Sequence, residues 1–97
     1  MRVHSLKTLR EFWQKHRDAE SALKVWFKTV VKEEWNSFND LKKHSGTADV
    51  IRGNRAVVNI KGNKYRLVLK INYDWKIVYI RFIGTHAEYD KIDVETV

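Results

Sequence analysis

The chain contains no cysteine among its 97 residues. This absence excludes disulfide bonds, thiolate zinc sites and catalysis by a thiol. Charged residues interrupt every apolar stretch after a few positions, so no segment is long enough for a transmembrane helix. The first ten residues, MRVHSLKTLR, lack the apolar region of a signal peptide. These absences fit a cytoplasmic location.

Sequence motifs for metal and nucleotide binding are also missing. The four histidines, His4, His16, His44 and His86, are scattered and form no HxxxH or HExxH pair. No glycine-rich loop of the Walker type is present. We therefore expect neither a bound metal nor another cofactor. No predicted helix is basic enough to read a DNA major groove, which disfavours a simple DNA-binding domain.

What the chain does contain is a globular composition with a strong positive charge. Hydrophobic residues make up 43% and charged residues 32%, and the length suits one domain over residues 1–97. The formal net charge is +7, and residues 52–81 alone carry an excess of that size. Such a basic patch favours a polyanionic partner, most often nucleic acid, although a solvated basic face is the alternative. The last ten residues are acidic.

The first half of the chain has the periodicity of amphipathic helices. Residues 1–4 are a candidate edge strand, and Ser5 can cap a helix over about residues 6–16. Asp18 can cap a second helix, whose apolar stripe reaches Val31. A membrane-surface role for that stripe is possible, but a small domain needs such a helix to cover its sheet. Ser37 can begin a further short turn.

From about residue 49 the pattern changes to the alternation of strands. Gly-Asn pairs in two near-identical turns, Arg52–Arg55 and Lys61–Lys64, indicate hairpins, and a third turn falls at Asn72–Trp75. The predicted strands cover about residues 49–52, 55–61, 64–72 and 75–84. The predicted fold is thus α+β, with two N-terminal helices packed on a four-strand antiparallel meander and a short C-terminal helix.

The predicted register places two arginines on the face away from the helices. Lys61 opposite Lys64 puts six apolar side chains on one buried face, namely Ala56, Val58, Ile60, Tyr65, Leu67 and Leu69. Asn72 opposite Trp75 adds Val78, Ile80 and Phe82 to the same face. The same register sets Arg66 directly across from Arg81, an arrangement that is destabilising by up to about 1 kcal/mol. A bound anion would relieve it, whereas the alternative is that both side chains splay into solvent.

The segment after the last strand begins with a capping box. Thr85 and Glu88 have the spacing of an N-cap and its third helical residue, which predicts a short helix over about 86–92. The N-terminus of this helix would suit a phosphate. His86 and Tyr89 are three apart and share one face of that turn.

The four residues Arg66, Arg81, His86 and Tyr89 suit metal-independent RNA cleavage. In this reaction the 2′-hydroxyl attacks its own phosphate, cations stabilise the phosphorane, and an acid protonates the departing 5′-oxygen. The arginines suit stabilisation of the phosphorane, and His86 suits either proton transfer, preferably that of the acid. Tyr89 could position the RNA, stack on a base or act as an acid. The base stays open among Lys64, Tyr79 and His86. The residues expected to bind RNA are Lys61, Lys64, Lys70, Arg55 and Tyr79.

The second half of the chain resembles HigB-type toxins of type II toxin–antitoxin systems, within the RelE/ParE superfamily. The most specific segments are Gly62-Asn63-Lys64-Tyr65-Arg66-Leu67 and the strand Val78-Tyr79-Ile80-Arg81 with the Gly84-Thr85-His86-Ala87-Glu88-Tyr89-Asp90 that follows. The similarity extends over essentially the whole chain in size and order of elements. It implies a RelE-like fold.

The resemblance also implies an activity and partners. These are a ribosome-dependent endoribonuclease that cleaves mRNA in the 30S A site, a HigA-like helix-turn-helix antitoxin that neutralises it, and contact with operon DNA only through the antitoxin complex. Arg66, Arg81, His86 and Tyr89 fall at positions where superfamily members carry functional residues. Some members use a Glu base on an earlier strand, whereas Asp49 is the acid there in this chain and is expected to face the core.

Two other functions remain open on the sequence. The superfamily includes gyrase-inhibiting toxins of the ParE kind, which act by binding a protein. A non-catalytic RNA-binding module would also use the basic face. The antitoxin could cover that face over Lys61, Lys64 and Arg66, or it could clamp the N-terminal helices.

Overall fold

A computed structural model describes residues 1–97. The elements are β1 (Arg2–His4), α1 (Leu6–Lys15), α2 (Glu20–Val30), α3 (Phe38–His44), β2 (Asp49–Ile51), β3 (Arg55–Ile60), β4 (Tyr65–Asn72), β5 (Ile77–Thr85) and α4 (His86–Tyr89). The sheet has the order β1-β5-β4-β3-β2. The α+β class and the antiparallel meander are confirmed. β1 pairs parallel to β5, so the complete sheet has five strands and is mixed.

Helices α1 and α2 pack on one face of the sheet because their apolar stripes need cover. The core combines Leu9 and Leu23 of these helices with Leu67 and Leu69 of the central strand β4, all without exposed surface. Every second residue of β4 points into this core, as the alternating pattern predicts. The predicted buried set Ala56, Val58, Ile60, Tyr65, Leu67 and Leu69 is confirmed.

The start of α2 differs from the prediction. Asp18 is not its cap: it lies in a short 3₁₀ turn, Arg17–Ala19, and α2 begins at Glu20. The Asp18 carboxylate instead accepts a 2.5 Å hydrogen bond from the Tyr65 hydroxyl and pairs with the Lys64 ammonium. Charge-assisted bonds of this kind are stronger than a bond from a neutral backbone N–H, which explains the exchange of partners.

The Asp18 contacts predict an acid-sensitive component of stability. Bonds from Lys64 and Tyr65 hold the pKa of Asp18 far below its usual range. Because the folded-state pKa is depressed, this stabilisation is present above the unfolded value near pH 4 and is lost as the pH falls below it. We expect the urea midpoint of Asp18→Asn to fall less than that of the wild type between pH 5 and pH 2. Asp74→Asn is the control, since Asp74 is exposed and unpaired; equal curves for Asp18→Asn and wild type would contradict the prediction.

The register between β4 and β5 also differs from the prediction. Between β3 and β4 the predicted pairs are found, with Ile60 opposite Tyr65. The next turn is longer, however, so Asn72 pairs with Ile77 instead of Trp75. Its last residue, Lys76, has a φ of 57°, which the sequence pattern did not indicate. Each residue from Ile77 to Ile80 therefore meets a partner two positions away from the expected one.

A β-bulge in β5 then separates the two arginines that were expected to face each other. Leu69 pairs with Ile80 and Val68 pairs with Phe82, which leaves Arg81 as the extra residue. Arg66 consequently faces Gly84, and the predicted Arg66–Arg81 pair is wrong. The bulge also turns Phe82 away from the helices, so Ile83 takes its place beside the core.

The first hairpin differs by one residue, with a large consequence. Its loop has three residues, Arg52–Asn54, so Ile51 pairs with Arg55 and Asp49 pairs with Val57. A one-residue shift moves every side chain of a strand to the other face. Asp49 therefore lies on the face away from the core, contrary to the expectation.

Candidate functional site

The face of the sheet opposite the helices carries the basic side chains, and we call it the open face. Its centre is β4, where Arg66 and Lys70 alternate with the core residues. Arg55 lies beside Lys70 on β3, and Tyr79 lies beside Lys70 on β5. Arg55, Arg66 and Lys70 therefore lie on one face of the sheet, as the charge pattern predicts.

Arg66 forms one cluster with His86 and Tyr89. The Arg66 Nε donates a hydrogen bond of 3.1 Å to the His86 Nε2, and the guanidinium carbon lies 4.9 Å from the centroid of the Tyr89 ring. The last distance is within the range of a cation–π contact. All three side chains are half-buried. The structure therefore brings together three of the four residues that the sequence selected.

The geometry of this cluster depends on the predicted capping box. The Thr85 hydroxyl accepts from the Glu88 N–H, and the Glu88 carboxylate accepts from the Thr85 N–H at 2.8 Å. These bonds lower the pKa of Glu88. α4 ends at Tyr89, earlier than predicted, and its single turn uses part of its own N-terminal N–H groups for the box. We therefore assign no phosphate site to the helix terminus.

Asn63 is a member of the cluster that the sequence did not indicate. Its Oδ1 lies 3.0 Å from the His86 Nε2, the same nitrogen that accepts from Arg66. One ring nitrogen cannot accept from Arg66 and donate to Asn63 at the same time. Neutral Nε2 suits Arg66, and protonated Nε2 suits Asn63. The site thus provides one partner for Nε2 with its proton and another for Nε2 without it. Only the position of Asn63 in the turn beside Arg66 could have signalled this.

Arg81 belongs to a second group on the open face, with Arg55. The main-chain oxygen of Val97 accepts from Arg55 Nε at 3.2 Å, from Arg55 Nη2 at 3.1 Å and from Arg81 Nε at 3.2 Å. Arg81 precedes Gly84, the residue that pairs with Arg66 across the strands, by three positions. This separation is roughly 10 Å along β5. The two guanidinium groups that were expected to act together therefore have different partners.

The acidic C-terminal segment, residues 90–97, crosses the open face. It leaves α4 beside Arg66 and reaches the Arg55–Arg81 pair at Val97. Val57 and Val68 lie on this face, yet they are 2% and 0% exposed and stand outside the helix-covered core. The segment, with its half-buried Ile92 and Val94, accounts for this burial. The centre of the face is therefore covered, which the strand pattern alone did not indicate.

The remaining residues expected to bind RNA lie at different places. Lys61 and Lys64 both pair with Asp18 at the end of the sheet, and this contact raises the pKa of Lys64. A lysine held protonated in this way is a poor general base. Tyr79 contacts the His4 ring, with 5.2 Å between the ring centroids, and pairs with Lys70 across the strands. Lys70 is exposed.

Comparison with known proteins assigns a class to this fold and basic face. Residues 19–92 match a family model described as the RelE-like toxic component of a toxin–antitoxin system. Because the match covers well over half of the chain, the chain belongs to the HigB toxin family. A toxin of this class implies an antitoxin partner. No curated protein matches the chain. None of its helices has the length and apolar character needed to cross a membrane.

Proposed function

We propose that this toxin is a metal-independent endoribonuclease that cleaves mRNA in the ribosomal A site and thereby stops translation. The observation that carries the proposal is the contact between Arg66 and His86, since it joins a fixed cation to a group that can gain or lose a proton at Nε2. Cleavage by the 2′-hydroxyl needs these two capabilities at one phosphate. Membership of the HigB family supports the same reaction class.

Arg66, His86 and Tyr89 have separate roles in this proposal. Arg66 stabilises the extra negative charge of the phosphorane, because its guanidinium can bind two phosphate oxygens. His86 Nε2 takes the proton of the attacking 2′-hydroxyl and delivers a proton to the departing 5′-oxygen. Tyr89 holds the guanidinium over its ring and offers a surface on which a base can stack. When a phosphate takes over the N–H groups of Arg66, the His86 Nε2 becomes free for proton transfer.

Arg81 and Arg55 hold a neighbouring phosphate in this proposal, and Lys70 extends the same surface. Their support is that both guanidinium groups converge on one oxygen, that of Val97, as they would on a phosphate oxygen. Tyr79 lines one pocket with Lys70 and Arg81, so it contacts the same stretch of RNA. Lys61 and Lys64 contact RNA at the end of the sheet, beside Asp18. This assignment keeps Arg81 in the site but separates it from the reacting phosphate.

The partner in this proposal is a HigA-like antitoxin with a helix-turn-helix domain, through which the complex reaches operon DNA. The toxin acts in the cytoplasm, where mRNA and ribosomes meet. Purified toxin, ribosomes and a defined mRNA test the activity by primer extension. We expect cleavage only with ribosomes present, and fragments that end in a 2′,3′-cyclic phosphate. DNA-damage signalling without mRNA cleavage would instead indicate gyrase inhibition, and salt-sensitive binding without fragments would indicate a binding module.

Replacement of Arg81 provides a quantitative test of the second phosphate contact. We expect Arg81→Ala to weaken binding of a single-stranded RNA and to reduce the slope of log K against log salt by about 0.7, because one phosphate contact releases one counterion. Arg10→Ala, an exposed arginine on α1, is the control for net charge. Equal slopes for the two variants would contradict a phosphate contact by Arg81.

A further inference from the structure

A pocket of about 670 Å³ lies where β4 turns into β5, at the opposite end of β4 from Arg66. Three asparagines line it, Asn36, Asn54 and Asn72, and we call it the amide pocket. No residue of the acidic C-terminal segment lines it, so it stays open while that segment covers the centre of the open face. A pocket of this size accommodates a small molecule or one nucleotide.

Two of the three asparagines have an amide oxygen that the fold already uses. The Asn36 Oδ1 accepts a hydrogen bond of 2.6 Å from the Lys76 Nζ, and the Asn72 Oδ1 accepts one of 2.9 Å from the main-chain N–H of Trp75. Ammonium and main-chain N–H groups only donate, so the contacting atom of each amide is its oxygen. The NH₂ groups of Asn36 and Asn72 have no partner in the protein and are free to donate to a ligand.

The walls of the amide pocket are tied to one another. The Lys76 Nζ also donates to the main-chain oxygens of Trp35 at 3.1 Å and Tyr73 at 2.8 Å, which joins the segment after α2 to the turn after β4. The Ile71 N–H donates to the main-chain oxygen of Asn54 at 2.9 Å, which joins the first hairpin to β4. The pocket is therefore preorganised, and preorganisation lowers the cost of ordering a site around its ligand.

The other polar groups of the pocket are two cations and one carboxylate. Lys70 and Arg81 are exposed and suit a phosphate, whereas Asp74 is exposed, forms no ion pair and can accept two neighbouring N–H groups. The half-buried ring of Tyr79 offers a surface for a base. Cations, an aromatic ring, N–H donors and one acceptor are together the groups that recognise a nucleotide.

The free amide groups select among the four bases. Guanine offers the acceptors O6 and N7 to NH₂ donors and the neighbouring donors N1–H and N2–H₂ to a carboxylate. Asparagine reads adenine with its oxygen and its NH₂ group together, and this mode is closed to Asn36 and Asn72 because their oxygens are held. Adenine, cytosine and uracil each present only one donor group on the pairing edge, so they use Asp74 less completely than guanine does.

We propose that the amide pocket binds a guanine nucleotide. Asp74 accepts from N1–H and N2–H₂, the NH₂ groups of Asn36 and Asn72 donate to O6 and N7, and Lys70 and Arg81 hold the phosphate. The nucleotide belongs either to an RNA strand that continues along the open face or to a free guanine nucleotide. Only the RNA source rests on the proposed function, whereas the pocket and its base preference do not.

The test titrates the full ¹⁵N-labelled chain with mononucleotides and follows its side-chain amide resonances by NMR. We expect guanosine monophosphate to bind at least about fivefold more tightly than adenosine monophosphate, the lower range for one bidentate base contact. It should also shift the NH₂ resonances of Asn36 and Asn72. Inosine monophosphate lacks only the N2 amino group and should bind about two- to tenfold more weakly than guanosine monophosphate, the range of one hydrogen bond.

The variant Asn72→Asp keeps an oxygen for the Trp75 N–H but replaces the NH₂ donor with a second oxygen. It should weaken binding of guanosine monophosphate about tenfold or more, because a bond is lost and a carboxylate oxygen faces a base acceptor. Asn39→Asp is the matched control, since Asn39 is exposed on α3 outside the pocket and undergoes the same change of charge. It should stay within about twofold of wild type.

The variant Asp74→Asn tests the carboxylate. It should lower the affinity for guanosine monophosphate and abolish the difference between guanosine and inosine monophosphates. Because it also raises the net positive charge, general attraction of an anion would change the affinity in the opposite direction. Asp49→Asn is the control, since Asp49 is exposed on β2 outside the pocket, and it should keep the difference between the two nucleotides.

Uridine oligonucleotides with and without one central guanosine identify the source of the nucleotide. Tighter binding of the oligonucleotide with guanosine supports the site and assigns it to RNA. Equal binding of both, with guanosine monophosphate still preferred, supports the site and assigns it to a free nucleotide. Equal affinity for all four mononucleotides, unshifted Asn36 and Asn72 resonances, or wild-type affinity in both Asn72→Asp and Asp74→Asn would overturn the proposal. Neither ribosomes nor cleavage enter these measurements, so their failure is distinct from failure of the proposed nuclease.

Discussion

His86→Ala should lower the rate of ribosome-dependent mRNA cleavage by about 10²- to 10⁴-fold, the usual loss when a positioned proton-transfer group is removed. The physical reason is that Nε2 of His86 is the atom in contact with Arg66 and, alternatively, with Asn63. Alanine leaves the Arg66 cation in place but removes the imidazole that carries the transferred proton. Expression of this variant should therefore no longer arrest growth. Primer extension on mRNA after induction measures the effect directly.

The companion variants separate the roles within the cluster. Arg66→Ala should lower the rate of mRNA cleavage by about 10²- to 10³-fold, as expected when one group that stabilises transition-state charge is removed. Asn63→Ala should have a smaller effect on the cleavage rate, because it removes only the partner of the protonated Nε2. His4→Ala is the control, since His4 is exposed at the edge of the same sheet and contacts Tyr79. Full toxicity of both His86→Ala and Arg66→Ala would refute the assigned site.

Leu67→Ala should lower the free energy of unfolding by about 2–5 kcal/mol, a large part of the stability of a domain this small. Leu67 has no exposed surface and lies on the central strand between Val58 and Ile83. Truncation leaves a cavity that neighbours on both strands cannot fill without distorting the sheet. Urea unfolding followed by circular dichroism measures the change.

This variant also calibrates the activity measurements. Leu67 adjoins Arg66 in the chain but points to the opposite face, so its replacement affects folding without touching the cluster. Val50→Ala is the control, because Val50 is 62% exposed on β2 and should change stability by less than about 0.5 kcal/mol. A loss of less than about 1 kcal/mol in Leu67→Ala would show that β4 is not the centre of the core.

Local chemistry was sufficient to predict several features of the site. The capping box of Thr85 and Glu88 needs only residues three apart, so the positions of His86 and Tyr89 on one turn followed from the sequence. The hairpin around Gly62 also set the correct register between β3 and β4. The approach of Arg66 to His86 and Tyr89 depended in addition on the pairing of β4 with β5, which sets Arg66 opposite Gly84.

The pairing of β4 with β5 could not be predicted in the same way. The turn after Asn72 is longer than its residues indicate, and a bulge at Arg81 changes the phase of the strand inside an otherwise regular pattern. Neither feature has a local signature here, since the turn carries no glycine and Arg81 sits among ordinary strand residues. The predicted contact between Arg66 and Arg81 was wrong for this reason. The sequence also did not indicate that Arg81 and Arg55 bind the same oxygen of Val97.

The amino-acid sequence by itself determined the α+β class, the helix-covered apolar face, the basic opposite face and the turn that carries His86 and Tyr89. These depend on hydrophobic periodicity and on contacts within a few residues. Only the tertiary structure decided which cations act together, what covers the open face and which asparagines line one pocket. Such features follow from contacts between distant residues, and a shift of one residue in any strand changes them all.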